Sequence, residues 1–379
     1  MNRRDFLKGL GFSSLSMLVA PSLWANTLST SAGNRRIVIM IELKGGNDGL
    51  NTLIPYSDNT YYSARPTTAI DRSSVLTLSG KLGLNPALKA LMPAWNEGEL
   101  AWVQGVGSPL EDRSHFEAIE VWDTAELEGF KASDGWIAQA FPTHPLAGVA
   151  IDTNFGPLYG STVSALSISD PQDFALNGSN IRALTSNSPN KSLQHILSVQ
   201  AQIDMLASTL AEYLTDIPAA KENFGAGSFG QSLNKVYMLI ASGLNIPAYK
   251  LSLANFDTHT NHRARHTPLL QSLAQGLASL RTNLMRIGMW DEVLILTYSE
   301  FGRRLKENAN KGFDHGAASV QLALGGQVKG GFYGEYPSLV DLDERGDLIY
   351  TTDFRDIYSV IRNNWWNLGE KETGQLALI

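Results

Sequence analysis

The 379-residue chain contains no cysteine. That absence excludes a disulfide framework, thiolate-held zinc, iron–sulfur clusters and a cysteine nucleophile, including a sulfatase nucleophile matured from cysteine. Charge is sparse, at 18% of residues, and no Lys/Arg-rich run is present. The net charge is −7; residues 1–25 carry Arg3, Arg4 and Lys8 against Asp5, so a chain without them stands at −9. Nucleic acids select basic patches against phosphate, so no nucleic-acid partner is expected. Beyond residue 25 no segment reaches roughly 18 uninterrupted apolar residues, so no stable transmembrane anchor is expected in the mature form. With 43% hydrophobic residues at this length, a disordered chain is excluded as well.

What is present begins with an address. Arg3-Arg4 is followed by Phe6 and Leu7, a weakly apolar run from Gly9 to Ala20, and Pro21-Ser-Leu-Trp-Ala25. This pattern reads as a twin-arginine signal cleaved after Ala25, the other reading being an amphipathic N-terminal helix. The expected organisation is a signal peptide over 1–25 and a single domain over 26–379. The expected partner is the twin-arginine export machinery, and the expected location is periplasmic or extracellular.

Along the mature chain, apolar runs alternate with helical periodicity. Arg35–Leu43, Leu100–Val106, Tyr249–Ala254, Glu292–Thr297 and Ser319–Leu324 read as buried strands. Asn85-Pro86 and Asp353 read as helix starts, Ser114-x-x-Glu117 as a capping box, and Leu193–Leu214, Gln231–Leu244 and the Leu269–Leu280 stretch as helices. Residues 160–191, rich in Ser, Asn, Gly and Pro, read as an irregular insert. The alternation predicts an α/β fold, a mostly parallel sheet with helices on both faces. In such sheets ligands sit beyond the carboxyl ends of the strands.

Four polar clusters follow or precede strands. Asp48 lies in Gly45-Gly-Asn-Asp-Gly49, either a ligand loop or a connecting turn. Asp257, His259 and His262 combine oxygen and nitrogen donors suited to zinc, manganese or iron, or mark a polar helix start. Glu300 precedes Arg303 and Arg304, either a metal or anion group or a helix cap with surface arginines. Asp314-His315 suits a loop where one residue ligates and the other orients. Ser114 is a helix cap and, by the same position, a candidate nucleophile at the positive end of a helix.

The ordered set Lys44-Gly-Gly-Asn-Asp-Gly-Leu-Asn51, Arg113-Ser-His-Phe116, Asp257-Thr-His259, Ser299-Glu-Phe-Gly-Arg303, Asp314-His-Gly316 and Gly325-Gly-Gln-Val-Lys-Gly-Gly331 resembles the domain-of-unknown-function 1501 family. That family is similar to the alkaline-phosphatase-like superfamily of phosphatases, sulfatases and phosphodiesterases. The resemblance implies a three-layer alkaline-phosphatase-like sandwich holding one or two divalent ions, zinc first, with manganese, iron or calcium as alternatives. By order, Asp48 resembles the first-strand ligand and Ser114 the nucleophile. Asp257 with His259 or His262, and then His315, resemble the ligands of the other metal. Glu300-Phe301 stands where the superfamily places an Asp-His pair; Asp314-His315 is the alternative position for that pair. The implied activity is metal-dependent hydrolysis of small or polymeric phosphate (or sulfate) esters, with Arg113 or Arg303 holding the anion. A non-catalytic cell-envelope binding or assembly protein is the alternative.

Overall fold

A computed structural model describes residues 35–110, 113–127, 134–161, 165–178, 189–371 and 376–379. The expected signal peptide, residues 1–25, lies outside them. The central sheet has nine strands: β1 (Ile37–Leu43), β2 (Leu100–Gly107), β3 (Gly148–Ile151), β4 (Ala165–Ile168), β5 (Ala248–Leu253), β6 (Val293–Tyr298), β7 (Ser319–Gly325), β8 (Gly331–Tyr333) and β9 (Thr352–Asp353). Their order is β8-β2-β7-β6-β1-β5-β3-β4, with β9 also on β2. Only β7 runs antiparallel to its neighbours, β2 and β6. All other pairings are parallel. The α/β class read from the alternation is what the chain adopts.

Why β1 sits centrally follows from its residues. All seven are buried, and successive side chains serve opposite faces. Ile37, Ile39, Ile41 and Leu43 pack with three helices, α3 (Lys191–Tyr213), α4 (Ser228–Ala241) and α5 (His262–Arg286). Val38 and Met40 pack with Val121 and Trp122 of α1 (His115–Thr124) and Ile357 of α6 (Phe354–Val360). Each such aliphatic side chain contributes about 1.5–3 kcal/mol by leaving water. A strand apolar on both sides is stable only between two helical layers, and that requirement makes the sandwich.

Two expected helix starts take their caps as read: Asn85 accepts from Ala87 N at 3.0 Å, and Asp353 from Arg355 N at 2.9 Å. Ser114 is the N-cap of α1 by backbone geometry, but its side chain makes no capping bond. Within the stretch 160–191, residues 162–164 and 179–188 lie outside the described ones, and 165–178 need correction. They carry the edge strand β4 and helix α2 (Pro171–Gly178), whose preceding Asp170 accepts from Gln172 and Asp173 N–H. Polar composition hid both, because an edge strand buries only alternate residues and a short outer helix only one face, here Pro171, Phe174, Ala175 and Gly178. Among the described residues no helix is long and apolar enough to cross a membrane.

Candidate metal centre

Four strand ends, those of β1, β5, β6 and β2, and the start of β7 meet at one edge of the sheet. β1 runs out through Gly45 and Gly46, at φ +116° and +86°. A Cβ on Gly45 would lie 2.3 Å from Asp257 N, and one on Gly46 2.5 Å from the Phe301 ring, so only glycine fits this crossing. Lys44 N donates to Leu253 O and Phe256 N to Lys44 O, both at 3.0 Å, which prolongs the β1–β5 pairing and fixes the loop carrying Asp257. Beyond β6, Ser299 Oγ donates to Leu43 O at 2.6 Å, and Glu300 Oε1 accepts Gly45 N–H at 2.8 Å. Beyond β2, α1 begins with Ser114 and His115. A two-residue ladder of Gly302–Arg303 with His315–Gly316 swings His315 into the same place.

Here Asp257, His259, His315 and His115 converge. His259 Nε2 lies 3.0 Å from His315 Nε2 and 3.1 Å from Asp257 Oδ1. His315 Nε2 is 3.4 Å from Asp257 Oδ1, and His115 Nε2 is 3.7 Å from Asp257 Oδ2. His115, Asp257 and His315 each offer a ligand atom within 4.8 Å of the others. Nitrogen and oxygen donors around a tetrahedral zinc stand roughly 3.3–3.5 Å apart, so His115, Asp257 and His315 form a group that could hold one ion, with His259 beside it.

Each imidazole is aimed from behind. His115 Nδ1 lies 2.8 Å from Glu300 Oε1, His315 Nδ1 2.9 Å from Arg113 O, and His259 Nδ1 3.1 Å from Asp314 Oδ1. An acceptor at Nδ1 holds the proton there and leaves the Nε2 lone pair facing the centre, the arrangement typical of metal-held histidine. With both Nδ1 positions protonated, the Nε2 atoms of His259 and His315 face one another 3.0 Å apart beside a carboxylate, an arrangement that a proton shared between them or a bound cation satisfies. Phe301, buried, stacks on His315 at 4.2 Å and flanks His115 at 4.9 Å, so this non-ligating residue packs the ligand rings.

The charges are consistent with that design. Hydrogen bonding to Glu300 raises the His115 pKa, whereas burial lowers that of His315. Burial would raise Asp257, but the hydrogen bond and charge of Arg303 hold it below the usual carboxylate range. Asp257 is 44% and His259 40% exposed, so one side of the centre faces solvent.

Several expected site residues stand elsewhere. Asp48 lies away from the cluster: its side chain is fully buried, taken by Arg65 Nη1 at 2.7 and 2.9 Å, with His262 Nε2 at 3.0 Å. Burial would raise its pKa; Arg65 and His262 overcome this and hold it far below the usual range. His262 stands with Asp48 and not with His259. The helix starts at His262, not at His259, and the left-handed Asn261 before it turns the two imidazoles apart. His262 bonds Thr258 Oγ1 at 2.8 Å and stacks on His266, whose Nε2 meets Asn47 Oδ1 at 2.9 Å. Burial depresses both imidazoles.

Glu300 and Asp314 orient histidines and are not among the converging donors. Arg303, expected to hold an anion, is engaged by the protein itself. Its guanidinium is buried and spent on Gly46 O, Phe313 O, Phe256 O, Gly45 O and Asp257 Oδ1, so it braces the ligand loops. The side chain of Arg113 turns to Asp343 and Asp347. His115, a member of the converging cluster, was missed by the sequence reading, although it stands beside Ser114 at a strand-to-helix junction. A histidine next to a candidate nucleophile was the available signal.

The chain is thus an α/β protein with a three-histidine, one-aspartate cluster at the carboxyl edge of its sheet. A family model described as "Protein of unknown function (DUF1501)" matches residues 173–354, in agreement with the motif resemblance. No curated protein matches the sequence. Among solved structures, the lipoteichoic acid synthase LtaP from Listeria monocytogenes is 9% identical, at TM-score 0.38, over 95% of this chain and 80% of that one. The C-terminal periplasmic domain of EcEptC from Escherichia coli, in complex with Zn, is 9% identical at TM-score 0.38, over 78% and 74%. The PsFucS1 sulfatase from Pseudoalteromonas sp. is 8% identical at TM-score 0.38, over 91% and 70%. Such values leave the fold assignment to the sheet topology above.

Proposed function

We propose that the chain is an exported, metal-dependent hydrolase of phosphate esters, with sulfate esters as the nearest alternative. The observation that carries this reading is the pair of Nε2 atoms of His259 and His315, 3.0 Å apart beside Asp257, each imidazole held at Nδ1 by an acceptor. His115, Asp257, His259 and His315 would hold one divalent ion, zinc first by donor type, with manganese or iron as alternatives. When bound, such an ion lowers the pKa of an adjacent hydroxyl or water and offsets charge on a transferring oxyanion.

The protein's own groups do the rest. Ser114 is the nucleophile in this reading, at the N-terminus of α1, where the helix dipole favours an alkoxide or a phosphate oxygen. Glu300 keeps His115 oriented and Arg303 keeps Asp257 ionised. Asp48, paired with Arg65, is withdrawn from ligation, which argues for one ion and not two. That withdrawal also favours the second reading, a metal-holding binding protein without turnover. Twin-arginine export machinery remains the proposed partner for residues 1–25.

The test is metal content by mass spectrometry together with turnover of 4-nitrophenyl phosphate and sulfate. About one ion per chain, lost in His315→Ala and Asp257→Ala, with turnover abolished in Ser114→Ala but metal retained, is the expected result. Stoichiometric metal without turnover supports the binding reading. No metal after reconstitution overturns both.

A further inference from the structure

Beside the metal donors, two guanidiniums converge on one carboxylate. Asp347 is fully buried, touches Arg113 Nη2, and has Arg304 Nε 3.3 Å from its Oδ1. Yet neither Asp347 oxygen has a well-directed hydrogen-bond donor, and Nε of Arg113 and of Arg304 has no well-directed acceptor. Charge holds the three groups together, while the shape of a single carboxylate leaves both its lone pairs and two N–H groups unmatched. Burial raises the Asp347 carboxyl despite both arginines, so this anion is held at a cost. Asp343 takes one directed bond: its Oδ2 accepts from Arg113 Nη2 at 3.4 Å, while its Oδ1 accepts from Arg345 N and Asp347 N, so Arg113 Nε still has no acceptor.

Both arginines are tied to the metal centre through their backbones. Arg113 O accepts His315 Nδ1 at 2.9 Å, and Arg304 N donates to Asp314 O at 3.1 Å. The segment bearing Asp347 is anchored by buried Leu339 and Leu348 and by a bridge from Leu342 to Leu348. Its backbone therefore stays in place while one carboxylate gives way. The Arg304 side chain is 39% exposed, which provides an approach from solvent.

We propose that Arg113 and Arg304 form an accessory oxyanion subsite next to the metal centre, filled in the resting chain by Asp347 and taken over by a tetrahedral phosphate or sulfate group. A tetrahedral oxyanion presents more acceptors than a carboxylate and can satisfy two guanidinium forks at once. The choice of anion rests on the hydrolase reading; occupancy of the subsite does not need turnover.

The test is titration of the full chain with inorganic phosphate and with sulfate, zinc-loaded and chelator-treated, by calorimetry and thermal shift. Asp347→Asn should bind phosphate or sulfate about tenfold more tightly than the native chain in both states, because one competing charge is gone. Asp347→Asn combined with Arg304→Gln should lose that gain. Arg304→Gln alone should weaken anion binding, which keeps the test decisive where Asp347→Asn fails to fold. Tighter binding of phosphate but not sulfate, or the reverse, identifies the anion class and supports the subsite. No gain in Asp347→Asn, a double variant that binds like Asp347→Asn, or an unaffected Arg304→Gln overturns it. Anion binding that persists in the chelator-treated chain while esters are never turned over refutes the hydrolase reading and leaves the subsite standing.

Discussion

Replacing Glu300 by Gln tests whether the histidines are held for a metal. Glu300 Oε1 lies 2.8 Å from both His115 Nδ1 and Gly45 N, and its Oε2 is 3.3 Å from Ser299 Oγ. Glutamine is isosteric, and its carbonyl can still accept from both N–H groups. Its NH2 then faces Ser299 Oγ, whose own hydrogen already goes to Leu43 O. The loop geometry is therefore conserved and only the charge is lost. A charge-assisted hydrogen bond contributes about 1.5–3 kcal/mol and a neutral one about 0.5–1.5, so the difference is roughly 1–1.5 kcal/mol. That predicts about tenfold weaker zinc binding, at the lower edge of the roughly 10–100-fold typical of groups that orient a ligand. The assay is competition for zinc against a chromophoric chelator, with the melting temperature of the metal-free chain as a control. In a His115→Ala background the Glu300→Gln change should add almost nothing, since the two act through one bond. Unchanged zinc affinity, or the same loss with and without His115, would refute the assignment of His115 as a ligand held by Glu300.

The buried ion pair and a buried acid give two further predictions. Arg65→Met removes the cation from Asp48, with both side chains fully buried, and should cost about 3–5 kcal/mol in urea unfolding; a loss below about 1 kcal/mol would show that His262 suffices. Burial raises the Asp123 pKa from 3.8 to about 7 against the pull of Lys250. Between those values the folded chain holds a proton that the unfolded chain has released, so this group's contribution falls as pH rises, by about 1.4 kcal/mol per pH unit. Asp123→Asn removes that slope. Its stability relative to the native chain should rise from pH 4 to pH 7 and then level, and a pH-independent difference would refute the buried, protonated state.

The comparison of sequence with structure turns on particular elements. Arg35–Leu43 and Glu292–Thr297 were readable as strands because each holds an unbroken apolar run, Ile37–Ile41 and Val293–Leu296, and a strand buried on both faces needs no partner to be recognised. Ala165–Ile168 was not readable: an edge strand buries alternate residues, and its Ser-rich surroundings resemble a loop. In the site, Asp257, His259 and His315 were marked by donor type and by position at strand ends. Asp48 bore the same marks and proved to be neutralised by Arg65, a residue whose approach nothing local announces.

By itself the sequence determined the layers, the central strands and the edge of the sheet where polar loops gather, because hydrophobic period and turn residues act over a few neighbours. It also determined the donor types, and with them the class of ion they suit. Only the tertiary structure decided which donors meet. The left-handed Asn261 separates His259 from His262, glycines at 45 and 46 let the Asp257 loop close against β1, and the start of α1 brings His115 to Glu300 from 185 positions away. Those pairings depend on how distant strands stack, and distance in space between such residues has no trace in local spacing.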